Sequence, residues 1–128
     1  MKVKGTVKLN TTAINTIIEA SKIALGNTTE SIKNDMIVSQ VVPKRSGELE
    51  STCEVDASQA QEGHTQISFS TVYARRIYFN PDGWHIHRDF NANAQPLWMQ
   101  SYIDGEKNSM VKSEFLKALR ENSKGVIK

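Results

Sequence analysis

The sequence predicts a single α+β domain in which a small antiparallel β-sheet packs with a long N-terminal helix and a C-terminal helix. Three observations carry that prediction. Apolar residues recur at helical spacing over residues of about 12–40, polar and apolar residues alternate with period two over about 47–70, and helical spacing returns over about 95–121. With 128 residues, 38% hydrophobic and 23% charged, the chain has the composition of one globular domain, residues 1–128. Such a domain buries about two-thirds of its unfolded surface, enough for a core but with a small margin.

The first helix begins near Thr12, where Asn10, Thr11 and Thr12 offer capping oxygens ahead of Ile14, Ile17, Ile18, Ala24 and Leu25. Gly26-Asn27-Thr28-Thr29-Glu30 could end this helix and cap a second one, since Asn27 and Glu30 stand three apart. The phase favours continuity. Ile14 to Ile32 and Ile18 to Met36 are each 18 residues, five turns at about 3.6 residues per turn, so the apolar stripe crosses Gly26 without slipping. One helix to about Gln40, kinked at most at Gly26, would be roughly 40 Å long and should project or line an interface. Pro43 ends it, because the residue before a proline is driven out of the helical region.

A hairpin is expected next. From Gly47 to Val55, Leu49, Ser51, Cys53 and Val55 would face inward and Glu48, Glu50, Thr52 and Glu54 outward. Thr65 to Ser70 repeats the alternation with Ile67 and Phe69 inward, and the polar stretch Asp56 to His64 connects the two. Residues 72–90 form an aromatic and basic segment. In Tyr73-Ala74-Arg75-Arg76-Ile77-Tyr78-Phe79 the spacing of Tyr73, Ile77 and Tyr78 suits a short turn of helix packed on the sheet with both arginines outward, and Asn80-Pro81-Asp82-Gly83 is a turn. Gly83 to His87 is expected as a further short strand. Leu97, Trp98, Tyr102 and Ile103 then mark a helix that continues or restarts after Gly105 with Phe115, Leu116 and Leu119, and residues 122–128 are expected to fray.

No apolar run reaches the roughly 18 residues of a membrane span, and the opening Met1-Lys2-Val3-Lys4-Gly5 lacks a signal-peptide core, so the chain is expected in the cytosol. A single cysteine, Cys53, excludes an internal disulfide and a zinc site of paired thiolates. The net charge of +2 conceals a segregation. Lys2, Lys4 and Lys8 open the chain without an acid, residues 48–62 carry five acids without a base, and from residue 106 onward six bases face three acids. Zones of opposite sign suit like subunits meeting head to tail, although scattered solvated faces give the same count.

Candidate chemistry is sparse. His85 and His87 would share one side of a strand, as some metal sites begin, but a third ligand could come only from His64 or Asp89 through an unknown fold, and a polar strand face is the simpler reading. Cys53 with His64 and Asn80 or Asp82 makes a nominal thiol hydrolase set, yet Cys53 falls on the apolar side of its strand, where a small buried residue belongs. Phosphate-loop, dinucleotide-binding and zinc-protease signatures are absent. No enzyme activity, cofactor or metal is therefore expected. Tyr73, Arg75, Arg76 and Tyr78 could form a nucleic-acid stacking surface, with core and interface packing as the favoured reading.

Three motifs taken in order, Pro43-Lys44-Arg45-Ser46-Gly47-Glu48-Leu49 after a long helix, Tyr73 to Phe79 after a hairpin, and Asn91 to Ala94 leading into Leu97-Trp98, resemble the tail-completion or head-tail connector proteins of long-tailed bacteriophages, often labelled minor capsid proteins. The resemblance covers roughly residues 1–104. It singles out Pro43, Gly47, Leu49, Tyr73, Ala74, Tyr78, Asn80 and Trp98, with Asn80 standing where the family typically has glycine. It implies an α+β virion structural protein of the phage neck, made in the host bacterial cytoplasm. Several copies would form a ring around the DNA channel, with connector or adaptor proteins on the head side and the tail tube or terminator on the tail side. DNA would pass without sequence recognition. The charge pattern adds an expectation: Glu48, Glu50 and Glu54 either meet basic termini of a neighbour or line the channel. Arg75 and Arg76, outward on their turn of helix, are left for solvent or for a partner's carboxylates.

Overall fold

The computed structural model describes all 128 residues and has the expected α+β architecture. Its elements are α1 (Thr11–Val38), α2 (Glu48–Ser51), β1 (Cys53–Asp56), β2 (Gln66–Phe69), α3 (Ala74–Phe79), α4 (Gln100–Ile103) and α5 (Asn108–Asn122), with a single 3-10 turn at Ala60–Glu62. Asn10 caps α1, its Oδ1 accepting from the Ala13 amide at 3.0 Å. The helix runs through Gly26 without a break, as the phase of its apolar residues required.

What α1 buries is narrower than its apolar stripe. Ala20, Ala24 and Thr28 lie four apart and are buried, whereas Ile14 and Ile18 remain exposed. The short side chains let α5 approach, with Ala118 buried on its side. Pairings of Lys107 with Asp35 and of Ser31 with Glu114 show that α5 runs antiparallel to α1. The first turns of α1 therefore stand at the margin of the packed layer, where only Ile17 of their three isoleucines is half-buried.

β1 and β2 form a two-stranded antiparallel sheet in which Cys53 faces Phe69 and Asp56 faces Gln66. Met36, Val41, Val42, Leu49, Cys53, Ala74, Trp98 and Tyr102 make the core, and Ile67, Phe69, Ile77 and Tyr78 pack against it. Trp98 is the keystone. Its ring lies edge-to-face with Tyr78 at 4.8 Å and with Phe69 at 5.4 Å between centroids.

Four expectations need correction. The first strand starts at Cys53, not Gly47: Gly47 takes a left-handed φ of 86°, and Glu48–Ser51 close a helical turn that buries Leu49. Gly83 to His87 is not a strand, for it finds no partner in the sheet. The helix expected from Leu97 begins only at Gln100, because Leu97 itself holds a positive φ of 52° that brings its amide to the Tyr78 carbonyl at 2.8 Å. Residues 122–128 do not simply fray, since Ser123 is fully buried and its Oγ accepts from the Ile127 amide at 3.1 Å. No helix is long and apolar enough to cross a membrane.

Candidate functional site

The three motifs meet at one corner of the fold. α1 ends at Val38, with Gln40 left-handed at φ 58°, five residues before the Pro43 expected to stop it; beyond Pro43, Ser46 accepts from the Glu48 amide at 3.4 Å, and Gly47 supplies the left-handed bend into α2. α3 packs across this corner. The Tyr73 hydroxyl donates to Glu48 Oε2 at 3.0 Å, and partial desolvation with that carboxylate holds the phenol above its ordinary range. The third motif closes the arrangement from behind. Asn91 is buried, and its Nδ2 donates to the Val42 carbonyl at 2.8 Å and to Glu50 Oε1 at 3.3 Å. Lys44 Nζ reaches the other Glu50 oxygen at 3.1 Å. Gln95 and Leu97 then bond through their amides to the Val41 and Tyr78 carbonyls, and Trp98 enters the core beneath Tyr78.

These contacts divide the acidic trio. Glu50 is tied down within its own chain, its side chain only 14% exposed, and Glu48 is engaged by Tyr73. Glu54 alone stands free on the outer face of β1. The one shared strand face expected for Glu48, Glu50 and Glu54 does not form, because the α2 turn rotates the first two away from the third.

The aromatic and basic segment is also partitioned. Arg75 and Arg76 are exposed on α3, as its spacing required. Arg76 grips Asp82 through Nη2 at 2.7 Å and Nε at 3.0 Å while lying over the Trp84 ring at 5.2 Å. Tyr78 is half-buried on Trp98, and burial pushes its phenol up. Tyr73 and Arg76 are thus bound to carboxylates of their own chain and Tyr78 is packed on Trp98, while the Arg75 guanidinium lies 6.0 Å from the Phe79 ring centre. The four do not present a row of stacking faces beside free cations.

Asn80 ends α3 at φ 44° and ψ 54°, the left-handed position at which the resembled family has glycine. Its amide group does what glycine could not. Oδ1 accepts from the Trp84 amide at 2.8 Å and Nδ2 donates to the Trp84 carbonyl at 2.9 Å, fastening the 81–84 turn. Between this turn, Tyr73, Ile77 and the Pro43–Leu49 corner opens a groove of about 230 Å³. His85 and His87 edge it with rings 5.2 Å apart, both exposed.

Cys53 is buried in the core, where desolvation raises its thiol pKa, and it pairs at the end of the hairpin opposite His64. No group of three His, Cys, Asp or Glu side chains is placed to hold a metal ion.

Sequence reasoning did not find the ties that build this corner. Tyr73 to Glu48 spans 25 residues and Asn91 to Glu50 spans 41, and local spacing carries no signal for either. Compared with protein-family models, with curated proteins and with solved structures, the chain matches none.

Proposed function

We propose that this chain is a structural protein of the neck of a long-tailed bacteriophage, one of several copies that form a ring joining head and tail around the DNA channel. The observation that supports this reading most directly is the convergence of the three motifs: segments 43–49, 73–79 and 91–98, which carry the resemblance, meet through Glu48–Tyr73 and Tyr78–Leu97, while Asn91 bonds to Val42 and Glu50 on either side of the first segment.

A second feature is consistent with assembly. Ile14, Ile18, Ile23, Val38, Phe90 and Ile103 are large apolar side chains left in water by the single chain. In the ring, neighbours cover such residues and stabilise each subunit by mass action. The partners are further copies, a connector or adaptor on the head side and the tail tube or terminator on the tail side. DNA passes through without sequence recognition. The nucleic-acid reading has less support, given that Tyr73, Arg76 and Tyr78 are already engaged.

The test is mass spectrometry of purified virions from the phage or induced prophage that encodes the chain, with negative-stain imaging of heads, tails and the added protein. The expected result is the protein in the virion at several copies and annular density at the neck. A protein abundant in the lysate yet absent from virions overturns the proposal.

A further inference from the structure

The first ten residues belong to no element of the fold, and every one of them is exposed. They are patterned nonetheless. Val3, Val7 and Leu9 occupy odd positions and Lys2, Lys4 and Lys8 even ones, the period of a strand with one apolar and one basic face. A strand so patterned needs a sheet edge with an apolar side and an acidic side.

β1 offers that edge. It pairs only with β2, and no turn or loop hydrogen bond reaches the backbone of Cys53 to Asp56. Its outer edge is therefore an open row of donors and acceptors on a sheet of two strands, which is marginal alone. On one face Cys53 and Val55 are buried or half-buried, and on the other Glu54 and Asp56 are exposed. The β2 edge carries Gln66 and Ser68 on that same outer face and has no charge to offer. Lys2 and Lys4 have the same two-residue separation as Glu54 and Asp56.

We infer that residues 2–9 of one copy add as a third strand along the β1 edge of a second copy, with Val3, Val7 and Leu9 on the side of the sheet that carries Cys53 and Val55, and Lys2 and Lys4 beside Glu54 and Asp56. Geometry favours the neighbour over the chain's own sheet. Gly26 of α1 lies against Ala57 at the end of β1, its Cβ position 3.8 Å from that of Ala57. The path back from Thr11 to Gly26 is about 22 Å, 15 residues at about 1.5 Å each. Returning along it would use about seven arm residues at about 3.3 Å each and leave too few to pair. An arm reaching a neighbour keeps its whole length for pairing, and repetition around a ring links every subunit to the next. The inference rests on the self-assembly proposed above and specifies its contact.

The test measures self-association of the full chain by analytical ultracentrifugation at low salt, together with amide hydrogen exchange. Val3→Pro/Thr6→Pro places prolines at one odd and one even position of an arm that touches nothing in the monomer, so a strand donor is lost whichever set of amides faces β1; monomer melting should stay unchanged while association weakens at least tenfold. Glu54→Lys should weaken association at least threefold, and adding Lys2→Glu or Lys4→Glu singly should restore part of the loss for the one lysine that stands opposite position 54 and not for the one opposite Asp56. Asp56 is left in place because its Oδ1 holds the Ser58 amide at 2.9 Å. Amides of residues 3–9 should gain protection only as the oligomer forms. An oligomer indifferent to the prolines overturns the arm contact and leaves the ring standing. Protection of the arm at monomer concentrations overturns it in favour of pairing within one chain, and a chain that stays monomeric alone and on tails overturns both.

Discussion

Tyr102 donates its hydroxyl to Asp35 Oδ2 at 2.6 Å, and that bond joins the end of α1 to the turn that leads into α5. The same oxygen receives Lys107 Nζ at 2.6 Å, and Lys107 also reaches Ser39 Oγ at 2.7 Å. Burial pushes the Asp35 carboxyl up, but the bonds from Lys107, Tyr102 and Ser39 outweigh it and hold the pKa below the ordinary 3.8. A carboxylate lowered in the folded state adds stability above its unfolded pKa and loses it as pH falls through the folded one. Thermal melts should therefore show an acid limb below about pH 4. Asp35→Asn should flatten that limb and cost about 1–2 kcal/mol at neutral pH, the lower end applying because the pair is a quarter to a third exposed. An unchanged acid limb would remove Asp35 from this role.

Gly26 sits inside α1 with helical geometry and gains nothing from lacking a side chain. An added Cβ would meet only the Ala57 Cβ, at the ordinary contact distance of 3.8 Å. Gly26→Ala should stabilise the protein by about 0.5–1 kcal/mol through the lower entropy of the unfolded chain, raising Tm by about 2–5 °C. A fall in Tm would mean that the hairpin packs on α1 more tightly than this contact indicates.

Trp98 is 2% exposed, yet its indole Nε1 has no hydrogen-bond partner. Trp98→Ala should cost about 3–5 kcal/mol, since it opens a cavity beneath Tyr78 and Phe69. Trp98→Phe should be much milder, about 1–2 kcal/mol, because the lost ring volume is offset by removal of an unsatisfied donor. Urea unfolding of the two variants gives the comparison, and equal losses would show that Nε1 is satisfied in solution.

Legibility in the sequence followed the range of the interaction that decides each element. α1 could be traced through Gly26 because 28 residues of periodic pattern outweigh one poor helix former. Which of its residues bury could not, because Ile14 and Ile18 carry the pattern but stand where no other element packs. Glu48–Ser51 misled for a local reason: Leu49, Ser51 and Cys53 satisfy period two, while the left-handed φ of Gly47 and the burial of Leu49 favour a helical turn. α3 was legible from Tyr73, Ile77 and Tyr78, and its arginines do face out. At the candidate site the ordered motifs were visible, but the buried amide of Asn91 and the divided roles of Glu48, Glu50 and Glu54 depend on contacts across dozens of residues.

Asn80 offers a prediction in which two local effects oppose each other. Its left-handed backbone costs a non-glycine residue about 1 kcal/mol, which glycine would recover. Its two side-chain bonds to Trp84, at 2.8 and 2.9 Å, are each worth about 0.5–1.5 kcal/mol in an exposed turn, and glycine would lose both. Asn80→Gly should therefore cost about 0–2 kcal/mol, about 1 kcal/mol less than the bonds alone would give. The change should appear in the 81–87 segment, where the Trp84 amide loses its acceptor and exchanges faster, and the Trp84 ring is less firmly held over Arg76. Asn80→Ala combines the strain with the loss of both bonds and should cost about 2 kcal/mol. Amide exchange at Trp84, set beside the melting temperatures of the two variants, separates the backbone effect from the side-chain effect. Equal melting temperatures for Gly and Ala would show that the backbone at this position relaxes out of the left-handed region.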